Sequence, residues 1–545
     1  MSIYNYSRRE ACEVRVGNVG VGGANPVRLQ SMNNTDTNDT AGSVAQAMRI
    51  ASAGGEIVRL TTQGEREARN MAQIRSELEK HGCTVPLVAD VHFNPKAAFV
   101  AAATCHKVRI NPGNFADPAR TFRHLEYTGE EYAAELEGLR KQLIPFLGIC
   151  REHGTAVRLG VNHGSLSDRI MSRYGDTPAG MVRSVIEYLQ IAREVDFNDI
   201  VISIKASSTP VMVATVELLC REMEAAGMNY PLHLGVTEAG NGEDGRVKSA
   251  VGIGALLALG IGDTIRVSLS EPPENEIPVA ARLRDYVCSR SGHKHIPEPD
   301  KAPELKVEAA VPLEGWAGRY PAVNADLNGQ LPEGWIEVDA SEQPCPHPAG
   351  EVIVVTSSHV NAPGQIASYI DRCRALGSGN AFIVKLTYAD SDLGDIQIKA
   401  GADFGLLLLH GYASGIWIDA PAIGQAGRQR LELGLLQAAR MRFTTTEYIA
   451  CPSCGRTLFD LESTLAQVKK ATGHLTGLKI GVMGCVVNGP GEMADADYGY
   501  VGAGPGRVSI YKGKQLMNKN LPAAEALPAL IELIKSCGDW REPDE

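Results

Sequence analysis

Aromatic residues are scarce, 6% of a 545-residue chain that carries 57 glycines. That mix fits tightly turning α/β architecture better than a β-sandwich. Cysteine, with 12 residues, is too sparse for a disulfide scaffold. The first twenty residues lack the apolar core of a secretory signal, and Glu10 and Glu13 break any Arg/Ser-rich transit pattern. A reducing compartment is therefore expected, a bacterial cytoplasm rather than a plastid stroma. Long hydrophobic runs are missing too: the longest nearly apolar stretch, 250–262, is Gly-rich and too short to span a bilayer. Positive charge is in deficit, 53 Lys and Arg against 64 Asp and Glu, a net −11. This excludes a general binder of nucleic acid or of anionic membranes. Finally, no Gly-x-Gly-x-x-Gly follows the first strand-like run, which leaves a dinucleotide fold without support.

What is present is 44% hydrophobic and 21% charged residues, the composition of a folded protein. The first half repeats one pattern: a short β-branched run ending in polar residues, then an Ala/Leu/Glu/Arg-rich helical stretch. Eight such runs occur, at 27–32, 56–60, 86–92, 107–111, 156–161, 200–205, 231–236 and 263–268. Alternating strands and helices of this number and spacing predict an α/β fold beginning with a (β/α)8 barrel, with a doubly wound open sheet as the alternative. Residues 293–305, HKHIPEPDKAPEL, read as a linker. Beyond it, strands are expected at 351–356, 381–386, 404–410 and 415–418 and a helix at 366–376, a smaller α/β unit with a structural role. From about residue 442 a small α+β unit is expected, with helices at 457–470 and 523–536 and strands at 478–483, 498–501 and 507–511. The division is thus 1–290, 291–435 and 436–545.

In such a barrel the βα loops converge at the C-terminal ends of the strands. Five of the eight strand ends deliver a cation: Arg59, Arg109, Arg158, Lys205 and Arg266. Asn162 and Ser268 lie beside them. Like charges crowded at one mouth are costly unless anions neutralise them, and Arg forks match phosphate oxygens. The pattern points to a substrate with several negative charges, such as a diphosphate. The bland alternative pairs each Arg with a local carboxylate. Asp90, His233 and Glu238 are candidate acid/base groups, and Lys205 also suits a Schiff-base aldolase.

Nine cysteines stand alone and read as small buried hydrophobes. Cys451 and Cys454 form C-x2-C, and Cys485 follows 31 residues later. Four closed ligands for a structural zinc are not at hand with ordinary spacing, and a thioredoxin-type pair has no use for Cys485. Three thiolates on Gly/Pro-rich loops suit a [4Fe–4S] cluster with a non-cysteine ligand, and Glu492, seven residues past Cys485, offers a carboxylate. Iron–sulfur, zinc and redox-pair readings all stay open on the residues alone.

These segments carry a resemblance. The runs SMNNT (31–35), PLVADVHF (86–93), RINPGN (109–114), LGVNHGSL (159–166), SIKAS (203–207), HLGVTEAG (233–240), GDTIRVS (262–268), CPSC (451–454) and GCVVNGPGE (484–492) are similar to those of the 4-hydroxy-3-methylbut-2-enyl diphosphate synthase family. The match spans roughly 20–290 and 435–512. The 145 or so residues between resemble the family's larger, three-domain form. The resemblance implies reduction of 2-C-methyl-D-erythritol 2,4-cyclodiphosphate to 4-hydroxy-3-methylbut-2-enyl diphosphate in the non-mevalonate isoprenoid pathway, with electrons from reduced ferredoxin or flavodoxin. It implies a [4Fe–4S] cluster on Cys451, Cys454, Cys485 and Glu492. It implies a diphosphate clamp of Arg59, Arg109, Arg158, Asn162, Lys205, Arg266 and Ser268, with Asn488 beside the substrate. Asp90, His233 and Glu238 would position groups or move protons. In the compact form of the family, a homodimer, one subunit's cluster domain caps its partner's barrel; here the long spacer predicts closure over the chain's own barrel. The rival readings are a non-enzymatic iron–sulfur electron carrier and a zinc-stabilised phosphate-binding barrel.

Overall fold

The structure, a computed structural model, describes residues 2–116, 126–313, 316, 320–486, 491, 493 and 495–543. The chain opens with a hairpin, β1 (Val14–Val16) and β2 (Val19–Val21), whose valines pack on Ile57, Val88, Ala156 and Val201. It caps the end of the barrel away from the strand C-termini. Three-residue strands carry too little periodicity to be read from sequence.

The barrel strands are β3 (Arg28–Met32), β4 (Ile57–Thr62), β5 (Leu87–Val91), β6 (Lys107–Ile110), β7 (Ala156–Asn162), β8 (Ile200–Lys205), β9 (His233–Leu234) and β10 (Thr264–Ile265). All pair in parallel, in the order 8-7-6-5-4-3-10-9. The ring closes where Ile202 of β8 bridges to Leu232 and its N–H donates to Pro231 O at 2.9 Å. Strands β4 to β8 are buried at every position, as expected of strands covered on both faces. The last two strands are shorter than expected, because the chain peels away after Leu234 and Ile265 to line the mouth. The helices between strands start at clear signals. The Asp39 carboxylate accepts the Gly42 N–H at 3.0 Å, and Thr128 with Glu131 forms a capping box that opens the helix Gly129–His153.

The middle region holds a second parallel sheet, β11 (Ile336–Asp339), β12 (Val352–Thr356), β13 (Ala381–Thr387) and β14 (Gly415–Asp419), in chain order. One expectation fails here. Residues 404–410 do not form a strand; they end the helix Leu393–Leu409 and its C-cap. The run Phe404–Leu409 is apolar because this helix is buried on all sides, and an all-apolar run has no period to tell helix from strand. Its partner is the barrel helix Gly242–Ala258, and the seam is made of small residues. A Cβ on Gly405 would lie 2.6 Å from Val251 O, and one on Gly254 would lie 2.6 Å from Ala402 Cα. Beside the seam, buried Asp403 accepts from Tyr286 and Tyr388 at 2.7 and 3.0 Å and pairs with Arg290.

The last unit is a five-stranded sheet: β15 (Glu447–Ala450), β16 (Lys479–Met483), β17 (Tyr498–Gly504), β18 (Arg507–Lys512) and β19 (Gln515–Pro522). Its first three strands are parallel and the last two pairings antiparallel. Ala450, at the end of β15, bridges to Ala239 in the loop after β9. Lys248 to Glu447 (2.8 Å), Arg440 to Glu447 and Asp495 (3.3 and 3.2 Å) and Lys469 to Asp244 (2.7 Å) hold this unit to the rest of the same chain.

Candidate active site

The C-terminal ends of the barrel strands and the C-terminal unit enclose a cavity. Arg59, Asp90, Arg109, Arg158, Asn162, Lys205, Glu238, Arg266 and Ser268 line it from below; Cys451, Cys454 and Cys485 line it from above. So the structure gathers the five strand-end cations and the three motif cysteines within a single chain. Asn488 and Glu492 lie outside the described residues.

The cations are almost fully buried; Arg158 and Arg266 are each 1% exposed. Glycines make room for two of them. A Cβ on Gly160 would sit 2.3 Å from Arg109 Nε, and one on Gly235 would sit 2.8 Å from Lys205 Nζ. The local-carboxylate alternative holds for one cation: Arg266 forks onto Glu276 at 2.8 and 2.9 Å. Arg109 and Arg158 share a single central carboxylate. Asp90 Oδ1 lies 3.3 Å from Arg109 Nη1 and 4.0 Å from Arg158 Nη2, and Oδ2 lies 3.6 Å from His92 Nε2.

Burial and mutual repulsion set the electrostatics. Burial alone would push the Asp90 carboxyl up, but Arg59, Arg109 and His92 hold it well below the usual carboxylate range. Burial, then Arg59, Arg266 and Arg158, push the Lys205 ammonium well below its ordinary value, against Glu238. Burial also lowers Arg59 to about 10 despite Asp90. His92, driven by burial and by Arg109 to about 3, stays neutral at working pH. An anion entering this mouth would relieve the crowded cations.

His233 does not reach the cavity. It is fully buried in the barrel interior, with Nδ1 3.4 Å from Thr264 Oγ1, and is not among the lining residues. Its position early in the short β9 directs it into the layer below. Sequence reading missed Met32, Ser203, Thr237 and, above all, Arg456, all of which line the cavity. Arg456 comes two residues after Cys454, on the loop of the opposite unit, and its Nη2 lies 3.7 Å from Asp90 Oδ2. Its one sequence signal, an arginine two residues past the cysteine pair, does not say where the loop docks.

The cysteine loops are tied together from the backbone. Gly484 N–H donates to Cys451 Sγ at 3.2 Å, Leu458 N–H to Gly484 O at 3.0 Å, and Cys451 N–H to Val482 O at 3.3 Å. Thr457 Oγ1 accepts the Cys454 N–H at 3.0 Å, and Ser270 Oγ on the barrel donates to Cys451 O at 2.8 Å. Among the described residues no group of three His, Cys, Asp or Glu side chains is placed to hold a metal ion.

Two family models match this chain: the GcpE TIM-barrel domain over residues 11–281 and the GcpE protein C-terminal domain over residues 447–536. The 4-hydroxy-3-methylbut-2-en-1-yl diphosphate synthase (flavodoxin) of Bacteroides fragilis is 51% identical, with 99% of this chain and 98% of the relative covered. The proteins of that name from Porphyromonas gingivalis and Akkermansia muciniphila are 45% and 43% identical; each comparison covers 99% of this chain, and 100% and 99% of the relative respectively. With both domains matched in order and identity sustained over the full length, the chain belongs to the GcpE family.

Proposed function

We propose that this chain reduces 2-C-methyl-D-erythritol 2,4-cyclodiphosphate to 4-hydroxy-3-methylbut-2-enyl diphosphate, with reduced flavodoxin as electron donor. Two electrons and protons enter, the ring opens, and one oxygen leaves as water. The observation that carries the reading is the single cavity with buried cations on one wall and three thiols on the other. The relatives' shared name agrees with it.

Arg59, Arg109, Arg158, Lys205 and Arg266, with Asn162 and Ser268, would clamp the two phosphates. Burial makes each charge-assisted contact worth more than in water and fixes the substrate's orientation. Asp90 keeps the arginines ordered until substrate arrives. Glu238, which faces both Lys205 and Cys451 electrostatically, would pass a proton to the departing oxygen. His233 would act from below, through the packing of the barrel core. The capping unit excludes water from the reaction.

The thiols suit a [4Fe–4S] cluster. Cys451, Cys454 and Cys485 are soft donors set around one cavity rather than drawn to one point, and Gly484 presents its N–H to a sulfur. Glu492 would be the fourth ligand and Asn488 a substrate contact beside it. Such a cluster supplies electrons one at a time to a bound substrate. Residues 1–290, 291–435 and 436–545 would serve as substrate barrel, scaffold and cluster unit, in a bacterial cytoplasm. No helix among the described residues is long and apolar enough to cross a membrane.

Anaerobic purification should give brown protein with about four irons and four sulfides per chain, and turnover of the cyclic diphosphate with reduced flavodoxin. Stoichiometric zinc without iron would overturn the cofactor. An iron-loaded protein that leaves the cyclic diphosphate intact would overturn the reaction.

A further inference from the structure

Arg456 stands apart from the other cations of the cavity, because it belongs to the opposite unit. It is 8% exposed, and it follows Cys454 by two residues on the loop that carries two of the three thiols. Asp90 bridges the two units. Oδ1 faces the barrel's Arg109 and Arg158, and Oδ2 lies between the barrel's neutral His92 at 3.6 Å and Arg456 of the capping unit at 3.7 Å. The loop itself is pressed on the barrel: a Cβ on Gly455 would lie 2.5 Å from Thr35 O, and Ser270 Oγ holds Cys451 O at 2.8 Å. With Arg456 the cavity has six cations, and the carboxylates that face them are Asp90, Glu238 and the Glu276 that forks Arg266. The cations outnumber the carboxylates, which suits an anionic ligand, and a phosphate lying between Arg456 and the barrel arginines would touch both units.

We propose that Arg456 is a substrate-bridging residue: it binds a phosphate oxygen of the substrate from the thiol-bearing loop, so that the substrate itself seats that loop over the barrel. Asp90 Oδ2 holds Arg456 in place until the phosphate takes over. This inference rests on the diphosphate reading of the site and adds a role for the capping unit in binding. Anion recognition is then shared across the seam between units, and the distance from the thiol loop to the reacting carbon is set by the phosphate grip.

The test uses the reconstituted, full-length holoenzyme with Arg456→Ala and Arg456→Lys, and reads iron content, KM and kcat for the cyclic diphosphate, and the Kd of inorganic pyrophosphate. The expectation for Arg456→Ala is native iron content with KM and the pyrophosphate Kd each raised about 10- to 100-fold, the loss of one charge-assisted contact. Arg456→Lys should recover part of both, as a point charge without the fork. Native KM and native pyrophosphate Kd in Arg456→Ala would overturn the proposal. Loss of iron from both variants would also overturn it, by assigning Arg456 to the scaffold of the loop. If the native enzyme binds pyrophosphate in an Arg456-dependent way yet leaves the cyclic diphosphate intact, the reaction fails and the bridging role stands.

Discussion

At the scale of single residues, the site is a problem of charge compensation around Asp90. This carboxylate has four cationic or imidazole neighbours within 4.0 Å, contributed by Arg109, Arg158, His92 and Arg456. Its pKa is depressed in the folded state, so it stabilises the fold above the unfolded carboxyl value near 3.9, and that contribution is lost as pH falls toward the depressed folded value. Asp90→Asn should therefore destabilise by about 3–5 kcal/mol at neutral pH, the cost of leaving buried charge unpaired. The gap between native and variant should narrow as the pH drops below about 4. Urea unfolding from pH 3 to 7 checks this; a gap that does not change with pH would deny Asp90 its ionised role. The five strand-end cations were legible because barrel geometry fixes where strand ends meet, whatever the side chains do there. Arg456 was not legible, because its place depends on how a distant loop docks. His233 lies in the core and not at the mouth, because one residue of strand position decides between the two.

At the scale of elements, packing constraints explain both the successes and the one reversal. Strand 200–205 and helix 523–536 have the bounds the sequence suggests, since a β-branched run and an amphipathic period mark them. The helix Leu393–Leu409 was taken in part for a strand because burial on every side erased its period. Its seam with Gly242–Ala258 makes a sharp prediction. Gly405→Val forces side-chain atoms onto the Val251 backbone, which cannot swing away, and should cost about 1–3 kcal/mol or more. Gly148→Ala is the control. It lies mid-helix in Gly129–His153 with open space at its Cβ position, and should stabilise by about 0.5–1 kcal/mol through helix propensity. Thermal midpoints of the two variants should move in opposite directions. A neutral Gly405→Val would mean that the seam between the middle region and the barrel is loose.

At the scale of the whole molecule, a net charge of −11 conceals a strongly cationic mouth, and the long spacer predicts that the cysteines cover the chain's own barrel. In this structure they cover their own. Lys248–Glu447 and Lys469–Asp244 fasten the C-terminal unit to the barrel helix of the same chain, and the bridge from Ala450 to Ala239 carries the strand leading to Cys451 into the mouth. The long middle region makes this route possible, because its helix is sutured to the barrel helix that also holds Lys248. Closure within one chain has a consequence that mixing experiments can read. Cys485→Ala breaks the thiol wall and Lys205→Ala the cation wall, each in a chain otherwise intact. If two chains exchanged caps, a mixture allowed to reassemble would contain mixed dimers with one complete site, and activity would return to about a quarter of native. With each cap on its own barrel, every chain in the mixture carries one broken wall, so activity should stay at the level of the separate variants at all ratios and concentrations. The same reasoning predicts that native activity per chain is independent of protein concentration down to the nanomolar range, where an exchanged cap would be lost by dissociation.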